Sequence, residues 1–116
     1  MALVSALAVG IGGGLGAVSR YAVGTVVGRR GLDTLLVNAG GSFLFGVVLS
    51  AELGSTAALA LGVGFCGAFT TFSSFAVETV RFAEEEPAVA LANAVGTLVV
   101  ALLAVIAGGA VGSLAG

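Results

Sequence analysis

The sequence predicts an all-α membrane protein of four transmembrane helices with a break in the third, and three observations carry that prediction. Only 9% of the 116 residues are charged while 59% are apolar. That is roughly half the charge of a soluble domain, too little to give water-facing helices a polar side. The apolar residues form four continuous runs, each near the ~20 residues that a bilayer crossing requires. They do not alternate, so the strands of a membrane barrel are not supported. Finally, the chain holds 20 glycines, and glycine lets helices in lipid bring their backbones close.

The first span covers about residues 2–28 and carries one charge, Arg20. No basic segment precedes it, so a retained helix is expected rather than a cleaved signal peptide. The second, 32–53, is bounded by Asp33 and Glu52; the third, 56–82, carries no charge before Glu78; the fourth, 88–115, carries none. Between them stand Arg29-Arg30-Gly31, Gly54-Ser55 and the acidic stretch from Ala83 to Pro87. Pro87 suits the first turn of a helix, where its missing N–H costs nothing. Residues 1–116 are thus read as one compact domain without repeats or linkers. Gly12 and Gly16, Gly24 and Gly28, and Gly108 and Gly112 stand four apart. Such pairs serve either packing within the chain or a dimer seam.

With so little polar material, each polar group at membrane depth needs a reason. Thr34, Asn38 and Ser42 recur every four residues on the second span, and Asn93 and Thr97 do so on the fourth. The third span holds the densest cluster, Thr70-Thr71-Phe72-Ser73-Ser74-Phe75, just after Gly62, Gly64 and Gly67. Hydroxyls beside glycines are poor material for an unbroken helix, and a break near Gly67 to Thr71 is expected. Hydrogen bonds between helices account for any single hydroxyl. Stripes on three helices favour a polar path.

That path would offer amides, hydroxyls and aromatic rings, with no His and no carboxylate at mid-span. A proton-coupled cation exporter needs an ionisable group there. Neutral N–H and O–H groups instead donate to an anion without trapping it. Phe72 and Phe75, three apart, could point their positive ring edges at the same path. A small, hard, strongly hydrated anion fits this set. The net charge of −2 implies no nucleic acid, and nothing suggests catalysis. The lone cysteine, Cys66, permits no intrachain disulfide and reads as a small buried apolar side chain.

At the third-span cluster, the run Gly64-Phe65-Cys66-Gly67-Ala68-Phe69-Thr70-Thr71-Phe72-Ser73-Ser74-Phe75 closely resembles the signature of the CrcB/Fluc fluoride channels. Gly12-Gly13-Gly14-Leu15-Gly16-Ala17 with Arg20-Tyr21 is similar to that family's first-helix motif. Thr34-Leu35-Leu36-Val37-Asn38, then Gly41-Ser42-Phe43 and Gly46, is similar to its second-helix motif. The resemblance spans the whole chain. It implies a passive channel in the cell membrane that exports fluoride and relieves its toxicity. It further implies an antiparallel dimer with two narrow pores, lined by Phe72 and Phe75, with Asn38 donating to the ion and Thr97 on a fourth-helix polar track. Backbone carbonyls of Gly67 and Thr70 would hold a structural sodium ion shared by both subunits. Asp33, Asn93 and Ala101 depart from the family pattern, where glycine, tyrosine and a hydroxyl residue are common.

Two other residues and the arginine distribution complete the reading. Arg20 would draw anions to a pore mouth or snorkel to the interface. Glu78 is expected to pair with Arg81, three residues on. Arg20, Arg29, Arg30 and Arg81 all lean to one side of a four-span layout, which predicts both termini outside the cytoplasm. One-sided charge suits a heterodimer with an inversely oriented homologue; a homodimer is the alternative. Two rival functions are a small multidrug-type exporter, disfavoured by the missing first-helix carboxylate, and a non-transporting membrane assembly subunit.

Overall fold

The computed structural model describes residues 2–28 and 31–115. The Arg29-Arg30 pair of the first turn lies outside the described residues. Among the described residues, four helices are long and apolar enough to cross a membrane: Ala2–Val26, Leu32–Ser50, Ser55–Glu85 and Pro87–Leu114. The turn after the first helix uses Gly28 and Gly31 at φ 52° and 88°, a region that side chains rarely tolerate. Asp33 sits in the first turn of the second helix, where its charge favours the helix dipole. Pro87 opens the last helix, as its residue type predicts.

The third span is the irregular one. It runs as Ser55–Ala58, then a π-helical stretch Leu59–Cys66, then Gly67–Phe69, and resumes as Ser73–Glu85. The expected break is therefore present, at residues 70–72. The wide π-helical turns were not legible beforehand. Their glycines leave one side bare, and the first helix fills it: a Cβ on Gly64 would lie 2.7 Å from the carbonyl oxygen of Val9.

The first helix packs on the first half of the third span, and the second helix on the fourth. Glycine makes both contacts possible. Cβ atoms on Gly12 and Gly16 would collide with the carbonyl oxygens of Ala60 and Phe65. Across the other pair, Gly46 meets the carbonyl of Val105, Gly108 that of Phe43, and Gly112 that of Val47. Two of the spaced glycine pairs are thus used inside the chain. Among the described residues, a Cβ on Gly24 would meet only the Asp33 carboxylate, at 3.8 Å, and Gly28 belongs to the turn. The outer surface is apolar, with Leu3, Leu7, Ile11, Leu98, Leu102 and Ile106 exposed, as lipid-facing helices require.

Candidate pore

Thr70 ends the first half of the third span. Its backbone leaves the helix at ψ 164°, and its N–H and hydroxyl both donate to the Cys66 carbonyl, at 3.1 and 2.9 Å. The next residue is clasped from outside. Asn38 on the second helix accepts the Thr71 N–H at Oδ1 (2.7 Å) and donates from Nδ2 to the Thr71 carbonyl (3.0 Å). Thr71 in turn accepts the N–H of Ser74 at its Oγ1, at 3.1 Å, and so caps the second half of the span. The sequence places Thr71 in the polar cluster without a role of its own. A threonine three residues before the helix's early N–H groups was the available signal.

This pattern decides what the broken helix exposes. In a continuous helix the Thr71 and Ser74 N–H groups would serve the carbonyls of Gly67 and Thr70, four residues earlier. Both are directed to side chains instead. A Cβ on Gly67 would find nothing within 4 Å, so this part of the break faces out of the chain. Among the described residues no group of three His, Cys, Asp or Glu could hold a metal. The hard oxygen ligands on offer here are main-chain carbonyls.

Beside the break lies a cavity of about 360 Å³, lined by Asn38, Ser42, Phe72, Phe75 and Thr97 together with Thr71. The Phe72 and Phe75 rings stand 6.1 Å apart, tilted by 50°. Phe72 is 79% exposed, so the cavity is open on the side away from the chain. Ala101, which lacks the hydroxyl of the family pattern, forms part of the wall. The Asn38 amide carries two N–H groups and gives one to Thr71, leaving one for another acceptor. An amide, hydroxyls and two phenylalanine rings, without a formal charge, line this space.

Thr34 is placed elsewhere. It is 7% exposed and donates to Glu78 Oε1 across to the third span. It lines a second cavity, about 530 Å³, with Arg20, Asp33, Ser74 and Thr71. Spacing by four overstates alignment, because each step advances about 40° around the helix axis. Over two steps the stripe turns toward a different neighbour. Asn93 likewise leaves the fourth-helix track, donating to Thr79 Oγ1 at 3.0 Å. The expected pairing of Glu78 with Arg81 is replaced by the contact with Thr34. The other carboxylate oxygen of Glu78 is buried and has no hydrogen-bond partner among the described residues. Arg20 donates from Nη2 to Ser74 Oγ at 2.9 Å.

The chain matches the model of the family described as CrcB-like protein, Camphor Resistance (CrcB), over residues 7–109. It is 65% identical over 114 residues to the fluoride-specific ion channel FluC 2 of Natronomonas pharaonis, covering 97% of this chain and 98% of that one. The fluoride-specific ion channel FluC 2 of Haloarcula marismortui is 50% identical over 108 residues, covering 90% and 91%. The fluoride-specific ion channel FluC 1 of Listeria monocytogenes is 42% identical over 84 residues, covering 68% and 71%.

Proposed function

The chain belongs to the CrcB family, and from that premise we propose that it is a fluoride-specific ion channel, passively exporting fluoride across the cell membrane. The observation that carries the pore assignment is the single cavity that gathers Asn38, Ser42, Phe72, Phe75 and Thr97. Fluoride is small and strongly hydrated, so a pore must replace its water with donors. One Asn38 N–H, two hydroxyls and the positive edges of two rings supply them without a fixed charge to hold the ion back. The need follows from acid chemistry. Hydrogen fluoride enters neutral, dissociates inside, and accumulates as the anion, which a passive leak then removes.

A second, inverted subunit completes the channel. The exposure of Phe72 and the open side at Gly67 support a partner surface here. An antiparallel pair would enclose two pores. It would also bring four carbonyls, from Gly67 and Thr70 of each chain, toward one sodium ion. When bound, that ion would supply fixed charge that ties the two breaks together. The one-sided arginines favour a homologue of opposite bias as the partner.

Fluoride efflux from liposomes tests the central reading. Purified chain is reconstituted alone and with a candidate partner, and at least one of the two preparations should release fluoride when a potassium ionophore clamps the voltage. No release from either preparation would sink it.

A further inference from the structure

The two cavities described above share one lining residue, Thr71. It is 8% exposed and is held from both directions. Asn38 clasps its N–H and carbonyl at 2.7 and 3.0 Å. Ser74, which accepts from Arg20 at 2.9 Å, gives its own N–H to the Thr71 hydroxyl at 3.1 Å. One chain of hydrogen bonds therefore runs from Arg20 through Ser74 and Thr71 to Asn38, crossing three helices.

We propose that Thr71 is a positioning residue for conduction: its hydroxyl and the Asn38 clasp hold the third-span break open between the Arg20 cavity and the phenylalanine-lined cavity. The physical basis is competition for donors. The Thr71 and Ser74 N–H groups each have two available acceptors, a side-chain oxygen or the carbonyl one helical turn back. A buried N–H that loses its side-chain acceptor must find another partner, and closing the break would supply the helical carbonyl. Losing the Thr71 hydroxyl would then let Ser74 N–H return to the Thr70 carbonyl. Phe72, next to Thr71, and Phe75, four residues beyond it, would shift relative to Asn38. The same step would take the Thr70 carbonyl from a cation; that clause rests on the sodium reading above.

The test compares Thr71→Val, which keeps the shape but removes the hydroxyl, with Thr71→Ser, which keeps the hydroxyl. Both are reconstituted as full chain beside wild type. Fluoride efflux should fall about ten-fold or more in the valine variant, the scale of a lost helix cap, and stay near wild type in the serine variant. Amide hydrogen exchange should show Thr71 and Ser74 protected in the wild type, with Ser74 altered only in the valine variant. Wild-type efflux from Thr71→Val, or equal loss in both variants, overturns the proposal. So does rapid exchange of the Thr71 amide in the wild type, a result that needs no variant to fold. Wild-type efflux indifferent to exchanging sodium for N-methylglucamine would remove only the cation clause. The valine and serine contrast would still decide the positioning role.

Discussion

Arg20 on the first helix donates from Nη2 to Ser74 Oγ, 2.9 Å away, at the start of the third span's second half. A fixed positive charge is thereby held at the wall of the larger cavity, beside Asp33. Arg20→Gln keeps a donor for Ser74 but removes the charge. Fluoride efflux should fall several-fold at low salt. The deficit should shrink as ionic strength passes about 0.15 M, where charges farther apart than about 8 Å are screened. Efflux measured at two ionic strengths checks this; an equal deficit at both would assign Arg20 a packing role.

Phe75→Ile and Phe72→Ile test the ring edges. Isoleucine preserves bulk without a polarised edge. Both variants should elute like wild type, while Phe75→Ile greatly slows fluoride efflux from liposomes. Full efflux in both would return the two rings, 6.1 Å apart, to packing alone.

Glycine substitutions should divide sharply by position. A Cβ on Gly108 would collide with the Phe43 carbonyl, whereas one on Gly10 meets nothing within 4 Å. Gly108→Ala should destabilise the chain by about 1–3 kcal/mol, as overpacking does. Gly10→Ala should leave stability unchanged or raise it by up to about 1 kcal/mol through helix propensity. Thermal melting in detergent reads both.

Thr34→Val removes the donor to Glu78, whose other carboxylate oxygen already lacks a partner. Leaving a carboxylate with neither hydrogen bond costs at least about 1–3 kcal/mol, the range for a neutral group. The melting temperature should drop, and Thr34→Ser should restore it. A valine variant as stable as wild type would show that Glu78 finds its partner elsewhere.

Orientation can be read with terminal reporter fusions. The arginine bias predicts one predominant orientation, with both termini outside the cytoplasm. Equal populations of both, with efflux from this chain alone, would favour a homodimer over the paired-homologue reading.

Much of this molecule was written in its composition. Lipid removes water as a partner for the backbone, so an apolar chain of this length has helices as its solution, and the four runs marked their number. The break was legible because several hydroxyls beside several glycines are poor material for an unbroken helix. Asn38, Phe72 and Phe75 were singled out by the resemblance to the CrcB motifs, and the structure brings all three to one cavity. Local spacing, however, does not say which neighbour a face meets. Thr34 turned to Glu78, Asn93 to Thr79, and Asn38 took hold of the Thr71 backbone. Those pairings join residues 14 to 44 positions apart. They depend on how closely glycine lets each helix pair approach, a property of two packed surfaces that neither strand of sequence holds alone.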